Sequence, residues 1–255
     1  MQIANAAVLS RTVDYTLDGL VIEGYLAWDD AASDPRPGVL VVHEWYGLGD
    51  NARNRCNMLA ELGYVAFAAD IYGKGVRPTN NEDAGKVAGK YRADRPLLRA
   101  RAGAALEQLM QAHGVDATRI AAIGYCFGGM TALELARSGA DIAGVVSFHG
   151  SYLTDMPALA GHVKAKVLIC HGSADPSSPW DTVDKLRAEL DSAGADWQLV
   201  AYSGAMHSFT NPSANTPERG NAYHADADRR SWQDMQQFFA EIFTEQDDAP
   251  VTASR

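Results

Sequence analysis

The sequence feature that most constrains the fold is a glycine-rich turn around a cysteine, at residues 124–129, which read Gly-Tyr-Cys-Phe-Gly-Gly. It follows the apolar stretch 119–123, which is typical of a strand, and precedes residues 130–136, whose pattern is typical of a helix. A strand, a nucleophilic side chain between glycines and a helix are the setting of the nucleophile elbow, G-x-S-x-G, here with cysteine in place of serine. The turn is too tight for side chains beside the nucleophile, so it requires glycine at 124 and 128. Cys126 is therefore the first candidate for chemistry.

An elbow places its nucleophile at the N-terminus of the following helix. The unpaired backbone N–H groups and the positive end of the helix dipole favour a thiolate there, and they also stabilise a developing oxyanion. The alternative interpretation is that Cys126 is a small buried apolar residue beside a glycine-rich helix start. A motif of this length does not decide between the two, so partners elsewhere in the chain must.

Charge and cysteine usage exclude several classes of protein. The chain of 255 residues has a formal net charge of -10 and no basic cluster, which argues against a nucleic-acid partner. Its three cysteines, Cys56, Cys126 and Cys170, have no C-x-x-C spacing, so neither a disulfide framework nor a zinc ribbon fits. Residues 1–10 lack the cationic start of a signal peptide, and no apolar run is long enough to span a membrane. We therefore expect a cytoplasmic protein.

Hydrophobic patterning predicts one α/β domain over residues 1–255, with a three-layer architecture. Alternating residues around Asp18 and Gly19 predict a β-hairpin over 12–28, which forms an antiparallel edge of the sheet. Buried strands alternate with helices after it, which indicates successive βαβ units, a mostly parallel sheet and helices on both faces. Residues 70–95 are polar and dotted with glycine, and are interpreted as a substrate loop with short helical stretches at best. The strands are expected at 38–42, 64–69, 119–123, 142–148, 167–170 and 198–202, the helices at 51–62, 96–113, 130–136, 180–193 and 222–244, and a solvated tail at 245–255.

Four polar side chains stand at the ends of predicted strands: Glu44, Cys126, Asp175 and His207. The last three follow the order nucleophile, acid, histidine, which is the order of an α/β-hydrolase triad. An imidazole holds a thiol as thiolate and later protonates the leaving group, while a carboxylate fixes the tautomer of the imidazole. Taken singly, Asp175 also fits a helix cap or turn, and His207 also fits a surface histidine.

A metal site has little support in the sequence. The other histidines show no H-E-x-x-H or similar ligand spacing. Cys56 and Cys170 lie in a predicted helix and a predicted strand, where a core position is the simpler interpretation. We expect neither a metal nor a cofactor.

At these residues the chain resembles the dienelactone hydrolase family of α/β-hydrolases, which use a cysteine nucleophile. The resemblance covers about residues 9–243. It implies a triad of Cys126, Asp175 and His207, with Glu44 contacting the resting thiol and helping to switch it to thiolate when substrate binds. It also implies an oxyanion hole from the backbone N–H groups of Trp45 and Phe127. The segments that carry it are 43–47 (His-Glu-Trp-Tyr-Gly), 69–73 (Ala-Asp-Ile-Tyr-Gly), 124–129, 171–176 (His-Gly-Ser-Ala-Asp-Pro) and 206–209 (Met-His-Ser-Phe).

The chain departs from that family where the substrate binds. The characterised members hold a substrate carboxylate with two arginines, whose places here fall near Lys74 and near Asn211. Lysine supplies charge without a planar fork, and asparagine supplies neither. Lys74, Asn211 and Tyr72, in the segment 69–73, are the candidate substrate-binding residues. The departure predicts that a carboxylate on the substrate is not required.

These observations predict an enzyme that cleaves a small ester or lactone through an acyl-cysteine intermediate, as a monomer or homodimer. A thioesterase or acyltransferase with the same triad is the nearest alternative. From other classes, a non-catalytic binding module and a thiol redox sensor remain open. An intact triad argues against the former, and the lack of an obvious resolving cysteine near Cys126 argues against the latter.

Overall fold

A computed structural model describes residues 7–31 and 34–247 of the chain. Its main feature is an eight-stranded sheet in the order β1-β2-β4-β3-β5-β6-β7-β8. The first two pairings in that order are antiparallel and the other five are parallel. The strands are β1 (Val8–Leu17), β2 (Leu20–Asp29), β3 (Arg36–Val42), β4 (Val65–Ala69), β5 (Val115–Tyr125), β6 (Gly144–Phe148), β7 (Lys166–Gly172) and β8 (Trp197–Tyr202).

In the described part of the chain, six α-helices cover the two faces of this sheet, as the patterning predicts for a three-layer fold. The helices are α1 (Asp50–Glu61), α2 (Asn81–Ala93), α3 (Arg95–Met110), α4 (Phe127–Arg137), α5 (Trp180–Ala193) and α6 (Ala225–Asp247). None of these helices, within the described residues, combines the length and the apolar character needed to cross a bilayer.

The structure confirms the N-terminal β-hairpin that the sequence predicts. Asp18 and Gly19 link β1 to β2 with φ angles of 51° and 76°. Two successive residues with positive φ form a turn whose twist matches that of the flanking strands, and Asp-Gly is one of the sequences that adopts it readily. The hairpin therefore closes one edge of the sheet, and β2 pairs antiparallel with β4.

The central strands separate two hydrophobic cores. Along β3, Leu40 and Val42 pack into one core, while Val39 and Val41 pack into the other. This follows from the two-residue period of a strand, which sends alternate side chains to opposite faces. Helices α3, α4 and α5 supply the first core, and α1 and α6 supply the second. Burial on both faces explains why these strands read as continuous apolar runs.

The structure corrects the interpretation of residues 70–95 as a largely irregular loop, because α2 occupies half of that segment. The side chain of Asn80 caps the helix by accepting the backbone N–H of Asp83 at 2.9 Å. Ala84, Ala88 and Tyr91 are buried at the spacing of one helix face. Small alanines give a weak hydrophobic signal, which is why the sequence pattern did not predict this helix.

The C-terminal region also differs from its prediction. Asn221 and Ala222 pair with Asn215 and Thr216 in a two-stranded ribbon, so α6 begins at Ala225 rather than near residue 222. The helix continues to Asp247, so residues 245–247 are helical rather than part of a tail. The remainder of the predicted tail, 248–255, lies outside the described residues.

Candidate active site

The cysteine turn has the geometry of a strained elbow. Cys126 has φ 56° and ψ -112°, a conformation that residues other than glycine rarely adopt, and it caps the start of α4. A Cβ atom added to Gly124 would lie 2.0 Å from the carbonyl oxygen of Gly128, and one added to Gly128 would lie 2.2 Å from that of Val42. Backbone atoms cannot move aside cheaply, so both positions require glycine.

The structure brings Cys126, His207 and Asp175 together at the carboxyl edge of the sheet. His207 Nε2 lies 3.0 Å from Cys126 Sγ, and His207 Nδ1 lies 2.8 Å from Asp175 Oδ2. Cys126 follows β5, while Asp175 and His207 lie in the loops after β7 and β8. Because parallel strands end at the same edge, residues far apart in sequence form one hydrogen-bonded row.

The electrostatics of this row favour a charged imidazole. Burial lowers the pKa of His207, but the Cys126 sulfur and the Asp175 carboxylate outweigh burial and hold that pKa well above its ordinary value. Asp175 is 4% exposed, and its other oxygen, Oδ1, accepts the backbone N–H of Ser177 at 2.8 Å. The carboxylate is thus fixed in place, and it orients the His207 ring with Nε2 toward the sulfur.

The backbone N–H groups of Phe127 and Trp45 are the candidates for an oxyanion hole. Phe127 is the first residue of α4, so its N–H precedes the hydrogen-bonding ladder of the helix. Trp45 lies just beyond β3, and its carbonyl oxygen accepts the phenol O–H of Tyr72 at 3.0 Å. Tyr72 is buried, and it therefore supports the segment that carries Trp45.

Glu44 lies near the triad but does not adopt the contact that the family resemblance implies. In the described residues the Cys126 sulfur contacts His207, whereas Glu44 Oε2 accepts the side-chain N–H groups of Asn211 at 2.8 Å and Asn51 at 3.3 Å. Burial raises the pKa of Glu44, against these hydrogen bonds and the nearby His207, which lower it. Two amide donors hold the carboxylate, and this corrects the expectation of a direct contact with the resting thiol.

The candidate substrate-binding residues are dispersed. Lys74 forms an ion pair with Asp14 on the outer hairpin, and both side chains are about half exposed. Asn211 binds Glu44, and Tyr72 binds the Trp45 carbonyl. All three thus have partners within the protein, and Lys74 is directed away from the triad toward β1.

A buried histidine, His149, lies beside the triad, and the sequence pattern did not indicate it as a site residue. His149 follows β6, accepts the backbone N–H of Cys126 at Nδ1 (3.1 Å) and lies with Nε2 2.7 Å from the Thr210 hydroxyl. The signal that selected Glu44 and Asp175, a polar residue directly after a buried strand, also applies to His149. The spacing typical of metal-ligating histidines does not select His149.

A cavity of about 250 Å³ lies beside the loops that follow β6 and β7, and none of the three triad side chains lines it. Two of its lining residues are hydrogen-bonded to triad residues. The backbone N–H of Met130 donates to the Cys126 carbonyl oxygen at 3.2 Å, and that of Ser177 donates to Asp175 Oδ1 at 2.8 Å. Its walls combine two guanidinium groups with hydroxyl and apolar side chains. They are Arg92, Arg95, Met130, Ser151, Tyr152, Leu153, Ser177, Ser178 and Thr182.

No group of three or more histidine, cysteine, aspartate or glutamate side chains suited to a metal ion occurs within residues 7–31 and 34–247. The chemistry that the site can perform with its own residues is nucleophilic. It holds a thiol, an imidazole within hydrogen-bonding reach, a carboxylate that orients the imidazole, and backbone N–H groups beside the sulfur.

The mixed sheet, the strand-turn-helix around Cys126 and the polar residues at the carboxyl edge define the α/β-hydrolase fold. The chain belongs to the Dienelactone hydrolase family, whose model matches residues 22–243, and it is a hydrolase of that family. The resemblance seen in the sequence is thereby confirmed.

Two solved structures and one related sequence agree with this family and fold. A dienelactone hydrolase-like promiscuous phosphotriesterase from metagenomic libraries is 41% identical, with a TM-score of 0.87 over 93% of this chain and 99% of that chain. A Yersinia pestis protein named "Putative carboxymethylenebutenolidase" is 28% identical over 86% of this chain and 84% of its own length. An esterase from Thermogutta terrifontis, at 20% identity and a TM-score of 0.63 over 95% and 96% of the two chains, shares the fold.

Proposed function

We propose that this hydrolase cleaves a small carboxylic ester or lactone through an acyl-cysteine intermediate, with Cys126 as nucleophile, His207 as general acid and base, and Asp175 orienting His207. The observation that carries the proposal is the 3.0 Å contact between Cys126 Sγ and His207 Nε2, with His207 Nδ1 held by Asp175 at 2.8 Å. A nucleophile, a base within reach and a third group orienting that base are the requirements of covalent acyl transfer.

The reaction proceeds in two halves. In the first, the Cys126 thiolate attacks the carbonyl carbon, and the N–H groups of Phe127 and Trp45 stabilise the oxyanion. The tetrahedral intermediate collapses as His207 Nε2–H protonates the leaving oxygen, which yields an alcohol and a thioester on Cys126. In the second half, His207 Nε2 takes a proton from water, and the resulting hydroxide attacks the thioester. Collapse of that intermediate releases the acid and restores the thiolate.

The cavity beside the triad supplies space for one side of the substrate. Tyr152, Leu153 and Met130 offer apolar contact, and the serines and arginines among its walls offer hydrogen-bond donors. The family's carboxylate-binding positions are not reproduced, because Lys74 pairs with Asp14 and Asn211 binds Glu44. An uncharged ester therefore fits the proposal as well as an acidic lactone does.

Phosphotriester cleavage is a second candidate activity, favoured by the 41% identity to the promiscuous phosphotriesterase. Attack on phosphorus would use the same sulfur and the same N–H donors. A thioesterase or acyltransferase differs only in the leaving group or the acceptor. A redox sensor is the weaker alternative because Cys56 and Cys170 are both fully buried, which leaves Cys126 without an accessible resolving thiol.

The proposal includes the cellular compartment, the oligomeric state and the partners of the protein. All three cysteines are unpaired, which agrees with a reducing compartment and hence with the cytoplasm. We expect the chain to act as a single catalytic domain, as a monomer or a homodimer. The substrates in view are small esters and lactones, and we expect no nucleic acid or membrane partner.

Trapping the acyl-enzyme tests the function. The protein is mixed with a p-nitrophenyl ester, quenched in acid, digested and analysed by mass spectrometry. We expect the mass of the acyl group on the peptide that contains Cys126, and its loss in Cys126→Ala. Cys56→Ala, which removes a buried thiol in α1, is the matched control and keeps the adduct. Wild-type turnover by a folded Cys126→Ala protein would exclude the proposed nucleophile. Paraoxon in place of the ester tests the phosphotriester activity.

A further inference from the structure

His149 connects the two loops that carry the nucleophile and the catalytic histidine. It is 0% exposed and has φ 38°, so it is a second residue at this edge in a conformation rarely adopted by side chains other than glycine. On one side, its Nδ1 accepts the backbone N–H of Cys126 at 3.1 Å. On the other, its Nε2 lies 2.7 Å from the hydroxyl of Thr210, three residues beyond His207.

The partners of the ring assign its tautomer. A backbone N–H can only donate, so Nδ1 of His149 is the acceptor and carries no hydrogen. The hydrogen then resides on Nε2 and is donated to Thr210 Oγ1. Burial holds the pKa of His149 well below its ordinary value, and His207 and Arg55 lower it further. Protonation at Nδ1 would place its hydrogen against the N–H of Cys126, so the bridge requires the neutral form.

The bridge is packed as well as hydrogen-bonded. The His149 ring meets the His207 ring edge to face, with centroids 5.4 Å apart, and it meets Phe209 in the same way at 5.1 Å. Thr210 is 1% exposed, and its carbonyl oxygen accepts a hydrogen bond from the Arg55 guanidinium at 2.8 Å. The end of the His207 loop is therefore held from two sides.

We propose that His149 is a positioning residue, which sets the distance between Cys126 and His207 by tying the Cys126 turn to the His207 loop through Thr210. This rests on the proposed function, because it assigns a role in the thiol–imidazole pair. Catalysis is sensitive to such placement, since an error of about 1 Å is able to cost roughly a hundred-fold in rate. The Cys126 N–H also bonds the Phe148 carbonyl oxygen at 3.0 Å, so the turn keeps one support when His149 is replaced.

A double-mutant cycle isolates the bridge. In His149→Asn the amide oxygen still accepts the Cys126 N–H, but the side chain is too short to reach Thr210. Thr210→Val removes the hydroxyl at almost constant shape. We expect each single variant to lower kcat for a p-nitrophenyl ester by about ten- to a hundred-fold at nearly constant KM, and the double variant to lose no more than the worse single variant.

A second measurement does not depend on turnover. The rate of Cys126 alkylation by iodoacetamide is followed against pH in each variant. A looser thiol–imidazole pair lowers the alkylation rate near neutral pH, since a neighbouring imidazolium favours the reactive thiolate. The charged and titratable residues that face His149 are His207, Arg55, Tyr125 and Cys126, and all four are retained. His149→Gln places an N–H near the position of Nε2, so its Cys126 alkylation rate should lie between those of His149→Asn and the wild type.

His171→Asn is the matched control. His171 is also a buried histidine at the end of a strand, but it contacts the Tyr152 hydroxyl at Nδ1 rather than the triad. We expect it to change the unfolding midpoint without moving the alkylation profile. Multiplicative losses in the double variant, or an alkylation profile in both His149→Asn and Thr210→Val that matches the wild type, would overturn the bridge. Failure of the proposed function is a different outcome, namely turnover by Cys126→Ala.

Discussion

Asn211 donates its side-chain N–H to Glu44 Oε2 at 2.8 Å, across 167 residues of sequence. This contact joins the loop that carries His207 to the segment after β3 that carries Trp45. Asn51, at the start of α1, donates to the same oxygen. The family resemblance associates Glu44 with the thiol, but in the structure two side-chain amides hold its carboxylate. Asn211, a candidate substrate-binding residue, therefore binds Glu44.

Glu44→Gln is expected to stabilise the protein at neutral pH. Burial raises the folded-state pKa of Glu44, so the stability that this group contributes is fully present below its unfolded pKa and is lost as pH rises through the folded value. Glutamine carries no charge and retains an oxygen that accepts the N–H of Asn211. The free energy of unfolding, measured by urea denaturation at about pH 5 and about pH 8, should show a larger gain for the variant at the higher pH.

A half-buried carboxylate paired with arginine provides the comparison for this experiment. Glu23 is paired with Arg53 at 2.8 Å, and Glu23→Gln should not produce a gain that grows with pH. A Glu44→Gln protein that is equally destabilised at both pH values would show that the charged carboxylate is needed for folding, which contradicts the prediction.

Much of the candidate site follows from local sequence rules. Cys126, Asp175 and His207 each come after a strand of the sheet, and parallel strands bring their carboxyl ends to one edge. The glycines at 124 and 128 mark the elbow because any Cβ there would meet backbone atoms. These signals depend on residues close to each other in sequence, and they predict which side chains meet.

The remaining features depend on tertiary packing. The path of the loop after His207 places Asn211 beside Glu44, and no local pattern specifies that Asn211 donates a hydrogen bond to this carboxylate. Lys74 likewise pairs with Asp14, on a strand 60 residues earlier. Helix α2 contains Gly85 and Gly89, which lower its intrinsic propensity, and burial of its alanine face against the fold stabilises it instead.

Gly128→Ala is expected to prevent stable folding. The added Cβ would lie 2.2 Å from the carbonyl oxygen of Val42 and 2.8 Å from that of His43. Both contacts are with backbone at the end of a central strand, so relief requires the elbow to move, at about 3 kcal/mol or more. Chemical denaturation measures the loss.

Gly103→Ala is the matched control, because Gly103 lies within α3 and its added Cβ meets no atom within 4 Å. Alanine there should stabilise the protein by about 0.5–1 kcal/mol through helix propensity. If the free energy of unfolding of Gly128→Ala were within about 1 kcal/mol of the wild-type value, the elbow would be more flexible than these distances imply.

Lys74→Ala and Arg92→Gln should show which of these two cations selects substrates that carry a carboxylate. Lys74 is engaged with Asp14 in an exposed pair, so its removal is expected to leave kcat/KM unchanged for acidic and neutral esters alike. Arg92 lines the cavity beside the triad. Its loss should lower kcat/KM about tenfold for an ester with a carboxylate on its acyl chain, relative to an uncharged ester of equal length. A selectivity change in Lys74→Ala alone would show that the lysine reaches the substrate after all.

Cys126→Ala should lower the pKa of the His207 imidazole. Burial lowers that pKa, and the Cys126 sulfur is the largest of the influences that raise it, ahead of the hydrogen bond that His207 donates to Asp175. Without the sulfur, burial opposes Asp175 alone. Because the folded pKa of His207 is raised, its contribution to stability is fully present below the unfolded value, near 6.5, and is lost as pH rises through the folded value. In the variant this loss should begin at a lower pH.

Titration by NMR of ring-labelled histidine, together with unfolding free energies from about pH 6 to about pH 10, measures both the His207 pKa and its effect on stability. Cys56→Ala, which removes a thiol from α1, should leave the titration unchanged, and an equal His207 pKa in Cys126→Ala and the wild type would show that the sulfur does not stabilise the imidazolium.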